Sequence, residues 1–126
     1  ATAMPLDHAP EEVRYPFRSQ NVPLNRTAYF GESVLQKQYR GQGVGVKFFE
    51  AREDYARARG CSYAVFCAVE RPMMHPNRPL DYVPLDKFWY KRGYQKRAEL
   101  FTAFSWKEIN EATASEKPMI FWIKRL

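Results

Sequence analysis

Apolar and polar positions along the chain follow two periods, which together predict strands that alternate with helices. Residues 28–36 (AYFGESVLQ) are rich in aromatic and β-branched side chains and predict a strand, in which Gly31 suggests a bulge. Residues 61–69 (CSYAVFCAV) form a nearly continuous apolar run, which is typical of a strand covered on both faces. We therefore expect two buried strands with one crossover between them.

The segment between these strands predicts a helix over residues 43–59. Its apolar side chains recur at helical spacing and should form the buried face: Val44, Phe48, Ala51, Tyr55 and Ala58. The other face carries the charged side chains Lys47, Glu50, Asp54 and Arg57. Glu53 can pair with Arg57 one turn later, and Gly60 follows where a left-handed residue ends a helix. A strand, a crossover helix and a second strand predict a βαβ unit with parallel strands.

The rest of the C-terminal part predicts a loop, a short helix and two strands. Residues 70–82 contain three prolines and predict a loop, after which Pro84 can begin a short helix that ends before Gly93. Residues 98–106 and 118–126 predict strands that pair antiparallel. The order β-α-β-α-β-β indicates an α/β domain with a mixed, partly parallel sheet flanked by helices.

The N-terminal part is the least regular. Four prolines interrupt residues 1–27, and residues 9–20 can hold a short helix broken at Pro16. We expect a single domain over residues 1–126, with an irregular segment at 1–27 and a core at 28–126.

The composition limits the class of protein. A chain of 126 residues that is 45% hydrophobic supports one domain with a core. The formal net charge of +6 favours an anionic partner, such as nucleic acid, an acidic surface or a phosphorylated cofactor. Cys61 and Cys67 lie too far apart in one strand for a disulfide, which indicates thiols in a reducing compartment. With no apolar run of membrane-spanning length and no metal-ligand spacing, we expect a cytoplasmic protein without membrane or metal.

The stretch QYRGQGVGVKFFE, residues 38–50, raises the question of phosphate binding. It matches neither the Walker pattern nor the dinucleotide fingerprint, because Lys47 is followed by Phe48 and no third glycine has the required spacing. A glycine-rich turn at a helix start still exposes unpaired backbone N–H groups, and the helix dipole favours an anion there. A tight turn without a ligand explains the glycines equally well, so this stretch alone leaves both interpretations open.

A longer pattern gives this stretch a specific interpretation. Arg40-x-x-Gly43-x-Gly45 matches Arg/Gln-x-x-Gly-x-Gly/Ala, the acetyl-CoA pyrophosphate motif of the GNAT superfamily of acyltransferases. It lies between a predicted strand and the next helix, as in that superfamily. Residues 88–94 (FWYKRGY) also resemble the superfamily's Phe-Tyr-x-x-x-Gly-Phe segment. The resemblance covers residues 28–126 and implies an acyl-CoA N-acyltransferase fold from its third or fourth strand onward.

The resemblance implies that the cofactor is acetyl-CoA (coenzyme A). Backbone amides in the glycine turn would bind the pyrophosphate, and basic side chains beside it would add positive charge. Main-chain groups at the end of the strand would hydrogen-bond the pantetheine arm. The cofactor residues implied in this way are Val34, Leu35, Gln36, Arg40, Gly41, Gln42, Gly43, Val44, Gly45 and Lys47.

The resemblance also implies acetyl transfer to a primary amine, carried by a small molecule or a peptide. Such a reaction needs a general base, and in this superfamily a Glu in the strand before the glycine motif often has that role. Glu32 lies at that place in the sequence. A carboxylate with a purely structural role is an equally good interpretation of Glu32. The usual general acid is a Tyr four residues before the helix-ending Gly. Here that residue is Trp89, and the candidate acid is Tyr90, which one helical position turns by about 100°.

Several expectations lie outside these motifs. His75 could contact the acceptor, but a surface-loop histidine is the commoner case. A complete domain has about three strands and two helices before the strand that carries Glu32, so we expect a C-terminal portion of a longer protein. Its exposed sheet edge could pair with a second copy in a homodimer.

Two other function classes stay open. One is a GNAT-like protein that binds CoA without turnover. The other is a basic nucleic-acid-binding module, against which the dispersed basic residues and the lack of a helix-turn-helix or RNP-like pattern argue.

Overall fold

The computed structural model describes residues 1–69, 85–108 and 110–126. Within these ranges the strands form one sheet in the order β1-β2-β3-β5-β4. They are β1 (Ala3–Pro5), β2 (Thr27–Phe30), β3 (Tyr63–Val69), β4 (Gln95–Trp106) and β5 (Ser115–Arg125). The α-helices are α1 (Glu11–Arg14), α2 (Val44–Ala58) and α3 (Asp86–Lys91), and short 3₁₀ turns cover Leu6–His8, Tyr15–Phe17, Leu24–Arg26 and Lys37–Tyr39.

The sheet is mixed, as predicted. β2 and β3 are parallel, with Thr27 opposite Tyr63, and α2 crosses between them, which confirms the βαβ unit. β1 lies antiparallel to β2, and β5 lies antiparallel to both β3 and β4. The predicted α/β class is therefore confirmed, with β4 and β5 as its antiparallel pair.

Successive residues of the central strands face opposite sides of the sheet and build two cores. The first core lies beneath the segment between β1 and β2 and comprises Leu6, Ala9, Val13, Phe17, Tyr29, Val65, Leu100, Phe121 and Ile123. The second lies beneath α2 and α3 and comprises Ala28, Phe30, Phe49, Ala56, Ala64, Phe66, Tyr94 and Trp122. Residues 6–26 thus cover one face of the sheet, while α2 and α3 cover the other.

The helix ends agree with the sequence. α2 begins directly after Gly43 and is followed by Gly60, whose φ of 76° is left-handed, as predicted. α3 is followed by Gly93 with φ 95°, where an added Cβ would lie 3.2 Å from Lys124 Cε. The predicted helix start at Pro84 and the predicted loop at 70–82 lie outside the described residues.

The prediction for the buried face of α2 is wrong. The buried residues of the helix are Phe49, Arg52, Glu53 and Ala56. Of the face expected to be buried, Ala51 and Ala58 are exposed and Tyr55 is 37% exposed. The true face is turned by about one residue, and two of its members are charged, so apolar spacing could not identify it.

Buried Glu53 is held by partners on other elements. Its carboxylate accepts a hydrogen bond from the Tyr94 hydroxyl at 2.8 Å and one from Lys124 Nζ at 3.0 Å. Arg57 lies 3.8 Å away, which confirms the predicted pair one turn apart. Burial and the nearby Glu53 carboxylate raise the pKa of Tyr94 well above its usual value, so the phenol stays a donor. The network links α2 to β5 and to the start of β4.

The strands differ from prediction mainly at their ends. β4 and β5 begin earlier than expected, at Gln95 and Ser115, and their register shifts between Arg97 and Phe101. Cys61 lies before β3, and both cysteines are free thiols. In the ranges described, no helix is long and apolar enough to cross a bilayer, and no group of His, Cys, Asp or Glu side chains could hold a metal ion.

Candidate functional site

The turn before α2 is left-handed at two glycines. Gly41 and Gly43 have φ values of 77° and 78°, which L side chains rarely adopt. A Cβ added to either would meet nothing within 4 Å, so the backbone conformation, not crowding, requires glycine here. Gly45, in the first turn of α2, would place a Cβ 3.5 Å from the Phe88 ring, which is ordinary contact.

The N-terminus of α2 presents backbone N–H groups. Gly43 is the N-cap, and no side chain in the described part of the chain caps the helix there. Lys47 N donates to Gly43 O at 3.2 Å, so the amides of the three residues between them precede the regular helical bonds. Together with the positive end of the helix dipole, these amides suit an anion such as phosphate.

Polar side chains brace the approach to this turn. Arg40 Nε donates to Leu35 O at 3.3 Å, and Gln42 Nε2 donates to Gln38 O at 3.0 Å. Both side chains are exposed, as is Lys47 on the first turn of α2. Positive charge therefore lies on both sides of the N–H groups, at the protein surface.

A cavity of about 550 Å³ opens beside the same turn. Hydrogen-bonded pairing between β2 and β3 ends at Tyr29 and Val65, although β3 continues to Val69, so the two strands leave a gap beyond that point. The glycine turn, α2, the gap and α3 all contribute to the wall. The lining includes Gly31, Ser33, Leu35, Arg40, Gly41, Gly43, Val44, Gly45, Val46, Phe48, Phe49, Arg52, Phe66, Cys67, Leu85, Phe88 and Trp89.

The wall between α2 and α3 is aromatic. Phe49 packs against Phe66 and Phe88, with ring centroids 5.7 Å and 5.9 Å apart. Phe66 in turn packs edge-on against Trp89 at 5.0 Å. This wall suits an apolar ligand arm that enters from the charged mouth.

β2 is shorter than predicted, and this moves several predicted site residues out of it. The strand ends at Phe30, so Glu32 and residues 34–36 lie beyond it. Beyond the strand the pairing with the N-terminal segment is irregular: Gly31 N donates to Thr2 O at 3.1 Å, and Thr2 N donates to Glu32 O at 3.0 Å. These two bonds set Gly31 and Glu32 against the single residue Thr2, which is the arrangement of a bulge, as predicted at Gly31. A Cβ on Gly31 would lie 2.5 Å from Thr2 Oγ1, so glycine also permits the close approach.

The predicted pantetheine residues follow outside the strand. Leu35 lines the cavity, whereas the Val34 side chain is 75% exposed. Gln36 is extended, with φ −62° and ψ 145°, directly before the 3₁₀ turn.

The candidates for proton transfer lie apart from one another. Glu32 is exposed at the end of β2. Trp89 lines the cavity and packs against Trp122 with centroids 5.0 Å apart. Tyr90 also packs against Trp122, with centroids 5.0 Å apart, but it is 55% exposed and does not belong to the described cavity lining.

The two histidines contribute nothing described to this cavity. His75 lies outside the described residues, and His8 is exposed with its Nε2 3.9 Å from Asp7.

Two features of the site escaped sequence analysis. Arg52 lines the cavity and is buried, although sequence analysis gave it no role. Tyr29 and Cys67 sit on neighbouring strands with hydroxyl and Sγ 4.0 Å apart. Burial raises the pKa of the Cys67 thiol to about 11 and also raises the pKa of Tyr29. Only the strand register brings this pair together, so no local signal could have found it.

Cys67 should therefore react slowly with thiol reagents. At pH 8 a thiol of pKa about 11 is roughly one part in a thousand thiolate, and the thiolate is the nucleophile. We expect iodoacetamide at pH 8 to label Cys61 before Cys67, with Cys67 accelerating as the pH rises toward 11. Peptide mass mapping over time measures both rates in one sample. Equal rates at pH 8 would contradict the burial of Cys67.

Comparison with known proteins identifies the family. The model of the acetyltransferase (GNAT) family matches residues 15–80, more than half of the chain. No curated protein sequence matches.

Solved structures share the fold. A GNAT family acetyltransferase from Elizabethkingia anophelis with acetyl-CoA bound is 11% identical with a TM-score of 0.55, over 80% of this chain and 61% of that one. The IAA acetyltransferase of Bacillus cereus is 14% identical with a TM-score of 0.54, over 80% and 63%. Nourseothricin acetyltransferase is 16% identical with a TM-score of 0.54, over 80% and 51%. The chain thus spans roughly half to three-fifths of these structures.

These structural likenesses show the acyl-CoA N-acyltransferase fold, and the sequence match supplies the family. The glycine turn and the mixed sheet agree with both. The chain belongs to the GNAT acetyltransferase family.

Proposed function

We propose that this chain is the acyl-CoA-binding part of an N-acetyltransferase, which transfers an acetyl group from acetyl-CoA to a primary amine. One observation carries the proposal: the left-handed turn at Gly41 and Gly43 places the uncapped N-terminus of α2 at the mouth of an apolar cavity. The N-terminus of the helix suits phosphates, and the apolar cavity suits an apolar arm that ends in a thioester.

The residues at the mouth hold the phosphates. Backbone amides from Gln42 to Gly45 donate to the pyrophosphate, and the exposed side chains of Arg40 and Lys47 add attraction. Residues 34–36 lie past the end of β2, with Gln36 in extended backbone, and their main-chain groups can pair with the amides of the pantetheine arm. The aromatic wall keeps water from the reacting end.

Acetyl-CoA supplies the activated thioester; the chain supplies position and proton transfer. Glu32 accepts a proton from the acceptor's ammonium group, directly or through water, and the free amine that results attacks the thioester carbonyl. Tyr90 is the side-chain candidate for the proton that the leaving sulfur takes up. Because its ring lies outside the described lining, Tyr90 could act only from a shifted α3, and otherwise water serves.

Replacing Glu32 tests the chemical step. We expect Glu32→Gln to lower kcat by about 100-fold or more with little change in donor affinity, since general-base catalysis contributes that much. Glu50→Gln makes the same change on an exposed residue of α2 and should keep wild-type kcat. A thiol-release assay with acetyl-CoA and a panel of amines gives both values. Full kcat in Glu32→Gln would remove this residue from the mechanism.

A second function is CoA binding without turnover. Trp89 favours it, because this residue lines the cavity where the family pattern has a tyrosine, and its indole cannot protonate a thiolate at neutral pH. Calorimetry with CoA and the thiol-release assay separate the two functions. Binding without thiol release for any amine would support the second.

A further inference from the structure

A buried cation lines the proposed donor cavity. Arg52 is 7% exposed and belongs to the cavity lining. Its Nε donates to Phe48 O, one turn earlier on α2, at 3.2 Å. Its guanidinium carbon lies 4.7 Å from the ring centroid of Phe30 and 5.0 Å from that of Phe49. Burial lowers the pKa of this guanidinium, but an arginine side chain keeps its charge in proteins.

Arg52 has no carboxylate within ion-pair distance among the residues that the structure describes. The adjacent Glu53 carboxylate instead binds Tyr94 and Lys124 and faces Arg57. The two phenylalanine rings attract the guanidinium, but a buried charge is fully compensated only by an opposite charge with hydrogen bonds. An anionic group that entered the cavity would therefore find a buried cation with which no carboxylate of the described residues forms an ion pair.

This anion is distinct from the CoA pyrophosphate. Arg52 follows Val44 by eight residues, about 12 Å along the helix axis. The Phe48 carbonyl that fixes Nε lies about 6 Å beyond Val44 along the same axis. Phosphates at the helix N-terminus are thus beyond hydrogen-bond reach of the guanidinium in this position. A negative group that pairs with Arg52 from within the cavity would therefore be separate from these phosphates.

We propose that the cavity accepts acyl groups that end in a carboxylate, such as succinyl or malonyl, and that Arg52 selects these donors. The inference rests on the proposed function, since it assigns the acyl class to the same CoA site. The reaction is unchanged: the amine nitrogen bonds to the thioester carbonyl carbon and the carbon–sulfur bond breaks. The amine nitrogen loses one proton, and the departing CoA sulfur takes up one proton to become a thiol. The distal carboxylate takes no part in these steps. Its only role is to pair with Arg52.

Two donors with equal carbon number separate charge from size. Succinyl-CoA and butyryl-CoA both carry four-carbon acyl groups, and only succinyl ends in a carboxylate. We expect the wild-type chain to bind succinyl-CoA about tenfold or more tightly than butyryl-CoA, because a hydrogen-bonded charge pair forms in a desolvated cavity. Calorimetry of the two donors gives the ratio of dissociation constants.

Matched variants then test the residue. Arg52→Met removes the charge but keeps an unbranched apolar stem, and the donor ratio should fall to about one or below. Arg57→Met makes the same charge change on the same helix, at a side chain that is 50% exposed, and should keep the wild-type ratio. Because each ratio compares two CoA esters, any general loss of attraction to the phosphates cancels. Arg52→Lys, which keeps the charge, should retain part of the preference, and circular dichroism confirms that each variant is folded.

The outcomes are separable. Equal affinity of wild type for the two donors, or an unchanged ratio in folded Arg52→Met, would overturn the inference while acetyl-CoA binding still supported the proposed function. Failure of the wild type to bind CoA or any ester would overturn both. If Arg52→Met left the donor ratio intact but raised KM for glutamate relative to glutamine as acceptor, the carboxylate would belong to the acceptor and the donor assignment would be wrong.

Discussion

Gly43→Glu should raise the dissociation constant of CoA by about 100-fold or more. Gly43 is the N-cap of α2, and its left-handed φ leaves the adjacent N–H groups open. A glutamate there would place a carboxylate in the proposed phosphate site, where like charges cost several kcal/mol. It would also strain the backbone, because an L side chain in this conformation costs about 1–2 kcal/mol. Isothermal calorimetry with CoA measures the effect.

Gly60→Glu is the matched control for this variant. Gly60 follows the other end of the same helix with φ 76°, against 78° for Gly43, and a Cβ added to either meets nothing within 4 Å. The two variants should therefore lose similar free energy of unfolding. Only Gly43→Glu should lose CoA affinity, and wild-type affinity in this variant would disprove binding at the glycine turn.

Trp122→Ala should cost about 3–5 kcal/mol of unfolding free energy, as truncation of a buried tryptophan does. Trp122 on β5 is 1% exposed and stacks on Phe66 with centroids 6.2 Å apart. It also packs against Trp89 and Tyr90, each at 5.0 Å, so it anchors α3 on the sheet. Urea denaturation followed by fluorescence or circular dichroism gives the loss. Donor affinity should fall as well, because α3 forms one wall of the cavity.

Phe101→Ala provides the comparison for Trp122→Ala. Phe101 lies on neighbouring β4 and is 64% exposed, so its removal should change stability by no more than about 0.5 kcal/mol. Comparable losses in the two variants would mean that the aromatic cluster beneath α3 does not stabilise the fold as described.

Local chemistry accounts for the parts of the fold that the sequence predicted well. α2 ends where Gly60 takes a left-handed φ, as predicted, and the glycine-rich stretch before the helix forms the predicted turn. Helix ends and glycine turns depend on residues within a few positions of one another, so a single sequence contains the information. The glycine turn before α2 lies in this category, while its role in cofactor binding stays a prediction.

Long-range contacts account for the errors. The buried face of α2 includes Glu53, whose partners Tyr94 and Lys124 lie 41 and 71 positions away in sequence. A charged residue with such partners can be buried, and the residues next to it in sequence do not indicate those partners. The backbone beyond β2 also depends on a long-range contact, because Thr2 of the N-terminal segment lies against Gly31.

The position of the expected general acid could not be settled from the sequence motif alone. The family pattern leads to position 89 for a general acid, and the structure places Trp89 in the cavity lining with Tyr90 outside its described part. A motif can show which position of a helix should face the site, but it cannot show how the site works when that position holds a different residue type. Arg52 is the opposite case, since no motif points to it and only packing brings it into the cavity.

The central claim, that the N-terminus of α2 binds the phosphates of an acyl-CoA, is tested most directly by amide NMR. Titration of the ¹⁵N-labelled chain with CoA should produce saturable shifts that are largest at the amides of Gly43, Val44 and Gly45. Amides at the far end of α2, around Gly60, should move little. Saturable shifts confined to another surface, or none at these amides at saturating CoA, would contradict the account.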